Sequence, residues 1–216
     1  MPEGRAMLVN LERAGRTCYK SEERIDEQSA QGFVRRLIAS GHHSVIEHAS
    51  ISVRLVCDRG VSHELVRHRL AAFSQESTRY ANYSQDKFGG EITVIRPLFW
   101  APGTQAHDLW LKSMRQAEAA YLELLGLGAK PQEARSVLPN SLKTEVVMTA
   151  NLREWRHVLG LRCGRASHPQ MREIMLPLLS HFYEVVPVVF DDLYEKFQGD
   201  CREMAAQISR LQDRAS

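Results

Sequence analysis

Apolar residues recur along the chain with two periods, and each change of period marks an element. In EQSAQGFVRRLIASG, Phe33, Val34, Leu37 and Ile38 share a face at helical spacing, which predicts a helix closed by Gly41. In ASISVRLVCD the period shortens to two: Ile51, Val53, Leu55 and Cys57 alternate with Ser52, Arg54 and Val56, as in a strand. VSHELVRHRL returns to helical spacing at Val61 and Leu65, with Ser62 as its expected N-cap. EITVIRP reads as a shorter strand closed by Pro97, and TEVVMTAN as a third. Between them, Thr104 to Leu127 predicts a long amphipathic helix with Leu109, Ala117, Tyr121 and Leu124 inward and Gly126 and Gly128 at its end. KPQEARSVLP opens another helix, with Pro131 in its first turn and Pro139 beyond it.

LREWRHVLGLRC predicts a short helix that turns Leu152, Trp155, Val158 and Leu159 inward. The stretch HPQMREIMLPLLSHFYEVVPVVFDDLYEKFQ reads as a long helical region, kinked or divided at Pro177 and Pro187. Helices outnumber strands without alternating regularly with them, so the expected class is α+β. No linker interrupts the pattern. Residues 1–199 are therefore expected as a single domain and 200–216 as a loose polar tail.

Composition narrows this picture only a little. The chain has 216 residues, 44% apolar and 25% charged, which is ordinary for a protein with a packed core. A net charge of +2 demands neither a nucleic acid nor a membrane. No apolar run approaches the roughly 20 residues of a membrane helix, and MPEGRAMLVNLERAG lacks a signal core, so the expected location is cytoplasmic. Cys18, Cys57, Cys163 and Cys201 lie far apart, as free thiols in a reducing compartment do.

The uneven placement of charge carries more. RHRLAAFSQESTRY puts Arg67, His68, Arg69 and Arg79 around an apolar run, with His63 just before it. A second region, from Arg153 to Arg172, adds Arg156, Arg162, Arg165, His157 and His168 against a single acid, Glu154. Arginine presents planar paired donors that match phosphate and carboxylate oxygens. A solvated basic face is the plain alternative, but the apolar residues threaded through VRHRLAAF should be partly buried, and buried cations need partners. Neither GxGxxG nor GxxxxGK[ST] occurs, so an anion here is not held by a glycine loop. GHHSVIEH gathers three histidines and Glu47, yet its spacing is not that of HExxH. Ser77 has no nucleophile elbow and suits a hydroxyl donor to an anion. Cys163 sits beside Arg162 and Arg165, which would lower a thiol pKa; its place at a helix end favours a bystander.

Taken together, Arg67, His68, Arg69 and, after seven further residues, Ser77 resemble the signature of the flavin-dependent thymidylate synthases. GHHSVIEH resembles the family's upstream segment, and ARSVLP, TANLREWRHVLGLR and SHPQ resemble its downstream ones, in the same order, over most of the chain from RTCY to SHPQ. The resemblance implies an α+β fold with a small, mainly antiparallel sheet. It implies a homotetramer whose active sites draw on several subunits, and transfer of a one-carbon unit from 5,10-methylenetetrahydrofolate to dUMP, giving dTMP. FAD and NADPH would supply the reduction, with no cysteine nucleophile. It implies flavin contacts at Arg67, His68, Arg69, His42, Ser44, Glu47, Asn151, His157 and His168. It implies nucleotide contacts at Glu64, Gln75, Ser77, Arg79 and Arg135, with Arg162 gripping the pyrimidine ring as the catalytic arginine. The chain departs from the family pattern in three places. Glu64 stands where some members carry glutamine, Gln75 where others carry glutamate, and two extra residues separate Arg162 from His168.

Two other readings stand beside this one. The arginine clusters, with Phe73, Tyr80, Tyr83 and Trp155 as stacking platforms, would serve a nucleic-acid-binding module. His42, His43, His48 and His63 would serve a metal-dependent hydrolase.

Overall fold

A computed structural model of the chain describes residues 2–212. Its elements are α1 (Pro2–Thr17), α2 (Ser29–Ala39), β1 (Ser50–Asp58), α3 (Arg59–Leu65), β2 (Ala71–Gln75), α4 (Gln105–Gly126), α5 (Pro131–Ala134), β3 (Lys143–Asn151), α6 (Leu152–Arg162), α7 (Pro169–Val185) and α8 (Asp191–Gln212). The strands form one antiparallel sheet in the order β1-β3-β2. The fold is α+β, as the pattern indicates. The chain divides into two compact units, one of Met1–Ser52 with Thr149–Ser216 and the other of Val53–Met148.

In the first unit, α1 and α2 lie close enough that a methyl group on Gly15 would stand 2.6 Å from the Phe33 ring. Gly4 is tighter still: a Cβ there would meet the Val185 carbonyl oxygen at 1.7 Å. Helix α1 buries Leu8 and Leu11 and also Glu12 and Arg16. The two charges are tolerated because they are paired: Arg16 Nε donates to Glu12 Oε1 at 2.8 Å and Ser29 Oγ to Glu12 Oε2 at 2.7 Å. Helix α6 follows the expectation, with Leu152, Trp155, Val158 and Leu159 buried. Trp155 spends its indole N–H on the Ile51 carbonyl at 3.0 Å and meets Phe182 edge-on at 5.2 Å.

Helix α7 runs through Pro177 without dividing; the break falls instead after Val185, around Pro187. There Val188 adopts φ +77°, uncommon for a β-branched residue, and its N–H donates to Asp191 Oδ1 at 2.9 Å, which tethers the turn to the start of α8. The expected loose tail from Asp200 is helical through Gln212. Phe197, Cys201 and Met204, spaced four and three apart, are buried and hold α8 in place. Residues 213–216 of that tail lie outside the described residues.

In the second unit, β1 alternates as its sequence dictates, with Leu55 and Cys57 buried and Arg54 and Val56 exposed. The cap of α3 is Asp58 rather than Ser62: Asp58 Oδ1 accepts from Val61 N at 2.6 Å, while Ser62 is buried one turn further on. The EITVIRP stretch forms a single bridge, Val94 to Leu142, rather than a strand. The sheet's third member is β2, whose short AAFSQ run gave too weak a periodic signal. Helix α4 keeps Tyr121 buried on the expected face with Ala117 and Leu124 half-buried beside it; only its first turn differs, where Trp110 is buried and Leu109 is 64% exposed. The indole of Trp110 is drawn inward by Ser141 Oγ at 3.1 Å. KPQEARSVLP gives only the four residues of α5 and a further tight turn over Arg135–Val137. Tyr83, Ile92, Tyr121, Ala134 and Leu142 form this unit's core with Ala81.

Candidate functional site

The RHR run occupies the turn between α3 and β2. Arg67 N donates to the Glu64 carbonyl at 3.3 Å and His68 N to the Leu65 carbonyl at 3.0 Å, so the chain tightens as it leaves the helix. The turn sorts the three side chains. His68 is 5% exposed, while Arg67 and Arg69 stand in solvent. Arg54, Arg153, Arg156 and Arg172 each meet a carboxylate. Among the described residues, Arg67 and Arg69 do not. Two exposed guanidiniums without a carboxylate flank an inward imidazole, which leaves their donors for an external anion. Glu64 lies half-buried in the last turn of α3.

Beyond β2 the second set of expected residues comes together. Gln75, at the strand's end, donates from Nε2 to Ser62 Oγ at 2.9 Å and to Thr144 Oγ1 at 3.3 Å. Next, Ser77 Oγ accepts from Arg79 N at 3.3 Å, and the Ser77 carbonyl accepts from Tyr80 and Ala81. Arg79 lies 5.6 Å from the ring centre of the exposed Tyr80. The buried Thr78 accepts from Arg135 Nη1 at 3.5 Å, which brings Arg135 to the same tripeptide. Arg135 is thus bonded to the residue between Ser77 and Arg79, and a hydroxyl with two guanidiniums is the donor chemistry of a phosphate site.

In the sequence Ser62 stands out only as a helix cap, and its bond to Gln75, like those made by Thr78 and Thr144, emerges in the fold. Thr144 could have been found from the register of β3, where it shares the inward face with Val146 and Met148. Thr78 carries no such signal.

The charge beside this neighbourhood is balanced. Arg54 pairs with Glu145, Glu145 with Lys143 at 2.7 Å, Lys143 with Glu76 at 3.5 Å, and Tyr83 donates to Glu76 at 2.9 Å. The hydrogen bond with Glu145 raises the Lys143 pKa, and the one with Lys143 lowers that of Glu145. Burial, and then the bond to Glu76, pushes the Tyr83 phenol well above its ordinary value. The carboxylates are consumed by cations, so they leave the guanidiniums of Arg79 and Arg135 uncompensated.

The remaining expected residues lie in the first unit. Gly41, at φ +73°, ends α2 in a left-handed turn, and His42 N donates back to the Leu37 carbonyl at 2.9 Å. His42 and Ser44 are exposed, and Glu47 is held by Arg153 at 2.6 Å. His42, His43 and His48 form no metal-ligand set among the described residues. Asn151 caps α6, its Oδ1 accepting from Glu154 N at 2.8 Å, and this leaves its amide hydrogens for other acceptors. His157 is exposed on α6, and Arg162 is half-buried at its last residue. His168 caps α7: its Nδ1 accepts from Gln170 N at 3.3 Å, so a neutral ring carries its hydrogen on Nε2.

The three buried cysteines, Cys57, Cys163 and Cys201, are unsuited to nucleophilic work. Burial pushes the Cys57 and Cys163 thiols up to about 12 and raises that of Cys201. The arginines near Cys163 therefore do not make it a thiolate, and it is the bystander its position suggests.

Comparison with known proteins gives a consistent result. The profile of the family described as thymidylate synthase complementing protein matches residues 7–188. The flavin-dependent thymidylate synthase of Corynebacterium aurimucosum is 34% identical over 214 residues, covering 91% of this chain and 84% of the relative. That of Geobacter sulfurreducens is 31% identical over 212 residues, 92% and 90% of the two chains. That of Pyrococcus furiosus is 32% identical over 166 residues, 76% and 67% of the two chains.

Proposed function

The chain belongs to the family of flavin-dependent thymidylate synthases, and from that premise we propose that it methylates dUMP to dTMP with 5,10-methylenetetrahydrofolate as carbon donor and FAD as its flavin. We propose NADPH as the reductant, a homotetramer as the working assembly and the cytoplasm as its location. The family match runs unbroken through both units, which supports reading residues 1–199 as one functional domain.

The observation that carries this reading is the turn of Arg67, His68 and Arg69, whose exposed guanidiniums have no carboxylate partner among the described residues. That donor set fits a pyrophosphate without a glycine loop. In the other unit, His42, Ser44, Glu47, Asn151, His157 and His168 supply exposed or half-buried polar atoms suited to a flavin. The pairing of Glu47 with Arg153 removes a free negative charge from that set. When bound, the flavin supplies the two-electron reduction that completes the methyl group.

The protein's own part is positioning and charge. Ser77, Arg79 and Arg135 receive the nucleotide phosphate, with Glu64 and Gln75 at its side. Arg162 donates to a pyrimidine carbonyl oxygen, which polarises the ring and stabilises negative charge that develops on it. No side chain has to attack the ring, in keeping with thiols held protonated by burial. A nucleic-acid-binding module has less support, since the guanidiniums are divided among small constellations with neighbouring charge neutralised.

The visible absorption spectrum of the purified protein tests the reading. Bands of oxidised flavin, present on isolation or acquired on adding FAD, are expected. A spectrum without them after FAD addition overturns it.

A further inference from the structure

The amide of Gln75 is held in one orientation, and the reason lies in three elements of the same unit. Ser62 Oγ on α3 stands 2.9 Å from the Arg59 carbonyl oxygen. A carbonyl oxygen can only accept, so the hydroxyl's single hydrogen is committed there. The Gln75 atom 2.9 Å from that same Oγ must then be a donor, which fixes it as Nε2. Thr144 Oγ1 on β3, at 3.3 Å, takes the second amide hydrogen. Both hydroxyls are sealed, Ser62 at 0% and Thr144 at 1% exposure. A half-turn of the amide would bring Gln75 Oε1 against Ser62 Oγ with no hydrogen between them.

The carbonyl oxygen is left on the opposite side. Gln75 Oε1 accepts no hydrogen bond among the described residues. It is not sealed either: Gln75 is half-buried, and among the described residues the sealed, partnerless side-chain polar atoms are Arg59 Nη1 and Gln170 Nε2.

We propose that Ser62 and Thr144 are positioning residues that turn the Gln75 carbonyl oxygen towards the nucleotide, so that an oriented amide accepts a hydrogen bond where a carboxylate would need no orienting. The proposal rests on the placement of Gln75 beside dUMP. A carboxylate accepts on both oxygens, whereas an amide accepts on one, so glutamine works here only with its rotation fixed. The donors dUMP can offer such an oxygen are its uracil N3–H and its 3′-hydroxyl.

Calorimetric titration of dUMP into the FAD-loaded protein tests this. Gln75→Ala and Ser62→Ala are each expected to weaken dUMP binding roughly tenfold, the worth of one neutral hydrogen bond. Thr144→Val, which keeps the side chain's shape, shifts it in the same direction. Adding Gln75→Glu to Ser62→Ala restores binding to within about threefold of the parent, because a carboxylate needs no orienting partner. A purely packing role for Ser62 would not be rescued in this way. If Gln75→Ala weakens binding but neither Ser62→Ala nor Thr144→Val does, the orientation claim fails alone. It also fails if the double variant binds no better than Ser62→Ala. If Gln75→Ala leaves dUMP binding unchanged, the placement of Gln75 at the nucleotide fails first and takes the proposal with it. Repeating the series with 2′,3′-dideoxyuridine monophosphate assigns the donor. The Ser62→Ala effect vanishes if the 3′-hydroxyl is the partner and persists if N3–H is, and either result supports an oriented acceptor.

Discussion

Arg67 and Arg69 face solvent without a carboxylate partner among the described residues, and Arg162 closes α6 half-buried, so their substitutions should fail differently. Arg67→Ala removes charge-assisted donors, each worth about 1.5–3 kcal/mol, and should weaken FAD binding by roughly ten- to a hundredfold in a fluorescence titration. Arg162→Ala should abolish dTMP formation while flavin binding survives. Loss of flavin from that variant would mean the arginine has been given the wrong role. The thiols make a complementary case. Cys18 is exposed, whereas Cys57, Cys163 and Cys201 are buried. A thiol reagent at neutral pH should therefore modify one cysteine in the native protein and four after denaturation. No single Cys→Ala change should abolish turnover, and one that did so in a folded protein would contradict a mechanism without a thiol nucleophile.

At the scale of elements, two local devices predict measurable costs. Asp58 caps α3 through Val61 N, immediately before the RHR turn, and Asp58→Ala should cost about 1 kcal/mol in denaturant unfolding. Gly4→Ala should cost about 1–3 kcal/mol, the usual penalty of overpacking, since backbone at Val185 cannot yield as a flexible side chain would. Long periodic segments are legible: α2, β1, β3 and α6 stand where their patterns put them, because each buries one face. Two of the differences share a cause, a partner distant in sequence. Leu109 and Trp110 both fit an amphipathic stripe, and the choice fell to Ser141, which is distant in sequence. EITVIRP has the composition of a strand, but β2 takes the place beside β3, and pairing partners cannot be read from one strand's own pattern. In the tail, charge masks the helical period that Phe197, Cys201 and Met204 carry beneath it. Of the candidate site, the identities of Arg67, Ser77, Arg79 and Arg135 were visible in motifs. The hydroxyls that hold Gln75 and Arg135 were not, since Ser62, Thr78 and Thr144 act through tertiary contacts.

For the molecule as a whole, the buried thiols set the direction of an alkaline limit. An unfolded cysteine ionises near 8.5, while Cys57 and Cys163 are pushed up to about 12 in the fold. Above pH 8.5 the unfolded chain releases protons that the native chain keeps, so stability should fall as pH rises from about 8.5 towards 12. The contribution is fully present below 8.5. Thermal melts across that range should show the decline, and Cys57→Ala with Cys163→Ala should flatten it. The proposed homotetramer should sediment as four copies, and a monomer that turns over at full rate would refute sharing of sites between subunits. The most direct measurement is dTMP formation by the purified protein supplied with dUMP, 5,10-methylenetetrahydrofolate, NADPH and FAD. The expected result is dTMP that appears with all four present and disappears when the flavin is stripped and withheld. Turnover that proceeds undiminished without flavin, or no dTMP from a folded, flavin-loaded protein, would contradict the account.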